Sequence, residues 1–284
     1  MTTSPGALLP VAFEAVAIAN DLVCSRVPGL LTVKGDRDMA TELDYAVERA
    51  VRAHLRDRTP AVPILGEEEG VTGDRGGDLL WALDPIDGTA NLVRGIPLCG
   101  VSLGLVRRNR PVLGVIDLPF LGARYSAVEH MGAHLGRRRI RTSTTGRLRD
   151  AVVAIGDYAV GADAEEKNRL RLALNEKLAG QVQRVRMLGS VAIDLAWLAE
   201  GKLDVSMTMS NKPWDTAAGV IIAREAGAVV IDQDGSDHTS DSAATIAAAS
   251  GVVAETVALI TRTRKEMAGP RTRDGTAGGS VKTR

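Results

Sequence analysis

Trp81-Ala82-Leu83-Asp84-Pro85-Ile86-Asp87-Gly88-Thr89-Ala90-Asn91 sets an apolar run directly against two acids. The run over 79–83 reads as a strand, and Pro85 biases the residue before it toward extended backbone. Such a strand delivers Asp84 and Asp87, three residues apart, across a restricted turn. Gly88 permits close approach of a ligand, the amides after it can point at phosphate oxygens from a helix start, and Thr89 adds a hydroxyl.

Two further acid clusters lie outward from this one. Leu65-Gly66-Glu67-Glu68-Glu69-Gly70 ends a strand over 61–65, and in Pro213-Trp214-Asp215-Thr216-Ala217-Ala218-Gly219 the acid opens a helix. Each alone has an ordinary explanation: a solvated acidic turn, a helix N-cap, an Asp-Pro turn. Three such clusters with no Cys or His beside them suit a hard, oxygen-preferring cation such as Mg²⁺ rather than zinc. A threonine held by an acid can orient a metal-bound water whose pKa the ion lowers, and Asp44 is the candidate acid for Thr89. His54, on a surface helix, and His130, His134 and His238, in loop or edge segments, lack zinc-site spacing and read as solvated.

The elements follow from periodicity. Residues 7–27 carry Leu8, Val11, Ala12, Ala15, Val16, Ala19, Leu22 and Val23 at helical spacing. A helix over 41–55 presents Leu43, Ala46, Val47, Ala50, Val51 and Leu55 on one face, with Glu48, Arg49 and Arg52 off it. Short strands are expected at 61–65, 79–83, 98–106, 111–116 and 123–127, with Arg107-Arg108-Asn109-Arg110 as an exposed hairpin turn and Arg137-Arg138-Arg139 equally exposed. Beyond residue 150, strands at 152–155, 182–187, 203–207, 229–231 and 244–249 alternate with helices at 164–178, 191–200, 217–226 and 252–267, a layered α/β pattern. The expected organisation is a subdomain over 1–150, a second over 151–268 and a disordered Gly/Thr/Arg/Lys-rich tail over 269–284.

Bulk properties narrow the partners. The 284 residues are 45% hydrophobic and 25% charged, enough for two subdomains around a cleft. Thirty-five basic residues balance 35 acidic ones and aromatics reach only 3%, which argues against nucleic-acid binding. Cys24 and Cys99 read as reduced, buried residues. The N-terminus lacks a basic leader, and no apolar run is expected to approach the roughly 20 residues that span a bilayer, so no membrane partner and a cytoplasmic location are expected.

Gly66-Glu67-Glu68, Trp81 to Asn91, and Trp214-Asp215-x-Ala217-Ala218-Gly219 followed by Glu225-Ala226-Gly227 resemble, in order and separation, the inositol monophosphatase family. This family belongs to the lithium-sensitive, magnesium-dependent phosphatases that include fructose-1,6-bisphosphatase, and the likeness runs from Ala7 to Met267. The resemblance implies a layered αβαβα sandwich of the α/β (α+β) class, commonly a homodimer. It implies two to three Mg²⁺ ions, inhibition by Li⁺, and in-line attack of water on a phosphate monoester without a phosphoenzyme. Glu67, Asp84, the Ile86 carbonyl, Asp87 and Asp215 would be metal ligands, with Asp84 bridging. Glu67 and Thr89 would position the water, Asp44 would buttress Thr89, and the Gly88 and Thr89 amides would hold phosphate. Lys34, Asp38, Thr41 and Asp44 resemble the family's early Lys-Asp-Thr-Asp segment.

On the substrate side, Asp87, Gly88, Thr89, Ser190, Val191, Asp194, Thr208 and Asp215 are the expected contacts. Family members that act on inositol phosphates usually carry Glu seven residues before the Trp-Asp aspartate, where this chain has Thr208. The pocket thereby loses a carboxylate, which weakens recognition of a vicinal diol and leaves room for another alcohol or an amine, with Asp194 able to bind either. The expected substrate is an inositol, cyclitol or sugar phosphate. Histidinol phosphate and 3′-phosphoadenosine phosphates are the alternatives, and a catalytically silent binding module is the lesser one.

Overall fold

The computed structural model describes residues 4–35, 38–74 and 76–268. The expected tail at 269–284, the first three residues, and the side chains of Lys34 and Asp38 lie outside the described residues. After a 3-10 turn at Pro5–Leu8, helix α1 (Leu9–Ser25) buries Val11, Ala12, Ala15, Val16, Ala19 and Val23 as one stripe. Contrary to the sequence expectation, the 21-residue Pro5–Ser25 is by length and composition apolar enough to cross a membrane, its most apolar 18 residues having a mean hydropathy of 1.7. Glu14 and Asp21 interrupt this run, but its average stays high. The buried stripe packs into the main core cluster with helix α2 (Glu42–Arg58).

A hairpin of β1 (Leu31–Gly35) and β2 (Asp38–Thr41) leads into α2. Thr41 caps that helix in a capping box with Asp44, whose Oδ2 accepts the Thr41 amide at 2.8 Å. Glu48 and Arg52, expected on the polar face of α2, are instead fully buried at 0% exposure. Their mutual ion pair and backbone partners make that burial tolerable, a compensation that hydrophobic periodicity does not register.

Eight strands form the first sheet: β3 (Ile64–Gly66), β4 (Gly70–Thr72), β5 (Leu79–Asp87), β6 (Gly100–Arg107), β7 (Arg110–Leu118), β8 (Ala123–Val128), β9 (Gly132–Leu135) and β10 (Arg138–Ile140), in the order β10-β9-β8-β7-β6-β5-β3-β4. Only β3 and β5 pair in parallel, which sends the chain ends after both toward the same edge. Short α3 (Thr89–Val93) follows β5. The β6–β7 turn places Arg108 and Asn109 at φ +48° and +66°, as a tight two-residue hairpin requires.

The second sheet orders its strands β12 (Arg184–Arg186), β11 (Val152–Ile155), β13 (Val205–Thr208), β15 (Thr245–Ala249) and β14 (Ala228–Ile231), with β11 parallel to both neighbours and β15 antiparallel to both of its own. Helices α4 (Ala164–Gln181), α5 (Val191–Ala199), α6 (Pro213–Glu225) and α7 (Val253–Ala268) complete the described residues. Strand side chains alternate between faces. Val101, Leu103, Leu105, Leu113 and Val115 face α1 and α2, whereas Ile116, Leu118 and Tyr125 face α5 and α6. The other side of α5 and α6 meets the second sheet, and α4 and α7 cover its far face. Five layers, αβαβα, result.

Close approach of α6 to the first sheet depends on two strand glycines. A Cβ on Gly104 would lie 2.8 Å from the Ala218 amide nitrogen, and one on Gly114 would lie 2.5 Å from the Ala218 carbonyl oxygen. The helix can therefore sit almost on the strand backbone, and its first turn, with Asp215, is held at the edge where β5 ends.

The cysteines divide: Cys99 is buried, but Cys24 is exposed, on the outer face of α1 beside the buried Val23. His238 departs from expectation in the other direction, with 1% exposure and its Nε2 3.0 Å from the Thr245 hydroxyl.

Candidate active site

One ligand oxygen each from Glu67, Asp84 and Asp215 falls within 4.8 Å of the others. Glu67 lies just past β3, Asp84 near the end of β5, and Asp215 in the first turn of α6. Asp84 is 2% exposed and its Oδ1 accepts the Ile86 amide at 3.0 Å, a local turn that Pro85 favours. Asp87 lines the same cavity but leans toward α5, where its Oδ2 accepts from the Ser190 hydroxyl at 2.5 Å and the Ala192 amide at 2.6 Å. It thus ties β5 to the N-terminus of α5.

Thr89 Oγ1 lies 3.0 Å from Asp44 Oδ1 and 2.9 Å from the Ile86 carbonyl. A hydroxyl carries one hydrogen, so it donates to one of these acceptors at a time. The capping box pins Asp44 Oδ2, which turns its Oδ1 toward Thr89. Gly88 sits at φ +94°, and a Cβ there would meet the Leu98 carbonyl at 2.8 Å, so only glycine fits this turn.

The electrostatics are those of crowded acids. Burial pushes the Asp84 carboxyl well above its ordinary range, and the charges of Glu67, Asp87, Asp215 and Asp44 push in the same direction. Burial likewise raises Asp87 to about 6 against the opposing hydrogen bonds from Ser190 and Ala192. Oxygen donors alone, at mutually repelling separations, fit a hard divalent cation.

The surrounding cavity has a volume of about 600 Å³ and is also lined by Ile86, Gly88, Thr89, Ser190, Val191, Asp194 and Thr208, so all the expected metal and substrate residues share one space. Asp44 reaches it through Thr89. Asp194 is 1% exposed, and burial, reinforced by the charges of Asp87 and Asp157, raises its pKa.

Two residues that the sequence reading left out hold the Glu67 loop. Glu48 accepts from Arg52 Nε at 2.8 Å and from the Glu68 and Glu69 amides at 2.9 Å each. Arg52 also donates to Thr72 Oγ1 at 2.8 Å and the Gly70 carbonyl at 2.5 Å. Gly66 is the entry to this loop, and a Cβ there would lie 2.6 Å from the Arg52 guanidinium. Asp44, Glu48 and Arg52 recur at a spacing of four, one stripe of α2, and that spacing was the available signal. Asp157, Lys167, Ser210 and Lys212, also unforeseen, line the cavity on its second-sheet side.

The model of the inositol monophosphatase family matches residues 6–267. The inositol-1-monophosphatase ImpA of Mycolicibacterium smegmatis is 35% identical over 233 residues, covering 82% of this chain and 83% of that protein. The fructose-1,6-bisphosphatase/inositol-1-monophosphatase of Thermotoga maritima is 35% identical over 212 residues, covering 75% and 78%. Among solved structures, the Bartonella henselae extragenic suppressor protein suhB superposes with TM-score 0.84 at 27% identity, covering 90% of this chain and 99% of that one.

Proposed function

The chain belongs to the inositol monophosphatase family and is a phosphoric monoester hydrolase, and on that premise we propose that it hydrolyses a small inositol, cyclitol or sugar phosphate with the help of Mg²⁺. The observation that carries the metal part is the convergence of Glu67, Asp84 and Asp215 within 4.8 Å, beside the Thr89–Asp44 pair.

Glu67, Asp84 and Asp215, with Asp87 and the Ile86 carbonyl beside them, would hold the cation. Bound there, the ion would neutralise phosphate oxygens and make a water acidic enough to attack phosphorus. The chain's own residues then divide the remaining work. Thr89 donates to Asp44 or Ile86, which leaves its oxygen lone pairs to accept a hydrogen from the attacking water. Glu67, on a loop pinned by Glu48 and Arg52, would help to position the same water. The Gly88–Thr89 turn takes the phosphate, and the second-sheet side of the cavity takes the alcohol. No cysteine or histidine nucleophile enters this scheme. Family membership also supports inhibition by Li⁺ and assembly as a homodimer.

The test is phosphate release from a panel of monoesters with Mg²⁺ and with EDTA. Release is expected to stop in EDTA and to fall at least a hundredfold in Asp87→Asn, on the order of the loss when one transition-state contact is removed. Activity that persists in EDTA, or survives the substitution intact, overturns the metal reading.

A further inference from the structure

The sequence reading left the alcohol half of the cavity short of a carboxylate, because position 208 is Thr. Strands β11 and β13 run parallel and pair Ile155 with Met207. The residues that follow, Gly156 and Thr208, are therefore side by side, and a Cβ on Gly156 would lie 3.2 Å from Thr208 Oγ1. Asp157 comes next on the neighbouring strand end, about one strand spacing, ~4.8 Å, away from the Thr208 track. It lines the cavity, is exposed there, and makes no hydrogen bond or ion pair among the described residues.

Two buried polar atoms in the same wall lack partners among the described residues. Among the described residues, Asp194 Oδ1 and Thr208 Oγ1 make no hydrogen bond, although their residues are only 1% and 7% exposed. Buried polar groups are ordinarily satisfied, so orphaned oxygens lining a cavity point to a ligand that completes them. Ser210, Lys167 and Lys212 line the same half, with the Lys212 ammonium 5.7 Å from the Trp214 ring centre.

We propose that Asp157 is a specificity-determining residue that, with Asp194 and Thr208, binds adjacent hydroxyls of a polyol leaving group. This rests on the phosphatase reading of the site and narrows its substrate. Two carboxylates alone would serve an ammonium as well as a diol. The lysines decide between them: an ammonium can only donate and is repelled by Lys167 and Lys212, whereas a hydroxyl donates to Asp157 and Asp194 and accepts from a lysine. A second phosphate on the leaving group would meet the converse problem with the carboxylates.

The experiment compares three esters that share one ring: inositol 1-phosphate, cyclohexyl phosphate, which lacks the hydroxyls, and 2-aminocyclohexyl phosphate, each assayed with Mg²⁺ in the wild-type chain and in Asp157→Asn. Asp157 is exposed and unbonded, so the variant should fold unchanged. The expected result is a loss of about tenfold in kcat/KM for inositol 1-phosphate, carried by KM, with cyclohexyl phosphate unaffected. If both esters fall alike, or neither falls, the assignment of Asp157 is overturned while the phosphatase reading stands. A larger loss for the amino ester overturns the polyol assignment. No release by the wild-type chain from any of the three overturns the phosphatase reading and this inference with it.

Discussion

A carboxylate removed from water must find donors, and Glu48 finds them in Arg52 and in the amides of Glu68 and Glu69. Removing one partner leaves the other charged and unpaired, which is why Arg52→Met should destabilise the fold by about 3–5 kcal/mol. The same change frees the loop that carries Glu67, so the Mg²⁺ concentration for half-maximal phosphate release should rise. Urea unfolding together with a Mg²⁺ titration checks both, and a variant as stable as wild type would show that the pair is dispensable. His238 makes a different kind of prediction. Burial, with the charge of Arg224 adding to it and those of Asp232 and Asp237 opposing, lowers its pKa from 6.5 to about 4. Between those values the unfolded chain holds a proton that the folded chain does not. Stability linked to His238 is therefore complete above pH 6.5 and declines as pH falls toward 4, by up to about 3 kcal/mol. The pH dependence of the urea midpoint should flatten in that window in His238→Gln, and an unchanged slope would assign the loss to other groups.

At the scale of elements, α6 matters most, because it packs on both sheets and its first turn holds Asp215. Gly114→Ala would drive a methyl into the Ala218 backbone and should cost about 1–3 kcal/mol while displacing Asp215, so that thermal stability and Mg²⁺ affinity fall together. A drop in stability with unaltered Mg²⁺ dependence would separate the helix position from the site. Elements of this kind were legible where the apolar period was unbroken, as in α1, β6 and β7. They were blurred where tertiary contacts define them. β4, β9 and β10 have three or four residues each and exist through pairing rather than pattern. Helix α6 begins at Pro213, four residues before its apolar period starts at Ala217, because Pro suits a first turn. The acids of the site were legible because each cluster is contiguous in the chain. Glu48, Arg52 and Asp157 were not, since their meaning comes from a loop or a strand that lies far away in sequence or across a sheet. Cys24 and His238 depart from expectation for the same reason: local hydropathy does not say which face of a helix its partners leave open, or which loop is covered.

On the scale of the whole molecule, the site exists only where two sheets meet. Glu67 and Asp84 arrive from the first sheet, and Asp215 from the helix layer between them. Asp87 then bonds to Ser190 and Ala192 at the start of α5, and the Asn91 side chain donates to the Leu98 and Leu188 carbonyls, at 2.8 Å each, so that one turn stitches the layers together. Folding must therefore bring several carboxylates into one poorly solvated place without a built-in cation to balance them. Such a site opposes the stability of the metal-free chain, a common consequence of concentrating function. Mg²⁺ binds only the folded arrangement and should stabilise it in proportion to the logarithm of its concentration, by about 2.7 kcal/mol at a hundred times the dissociation constant. Asp84→Asn removes one of the repelling charges at the centre of the cluster and keeps the volume. Without metal this variant should melt several degrees above the wild-type chain, on the scale of 1 kcal/mol for roughly 2–4 °C in a chain of this size. Adding Mg²⁺ should raise the melting temperature of the wild type and leave the variant almost unmoved, with phosphate release lost. Calorimetry across a Mg²⁺ series reads all of this in one experiment. If the metal-free variant melts below wild type, the hydrogen bond from the Ile86 amide outweighs the relief of repulsion, and the acids are better balanced by their surroundings than their burial implies.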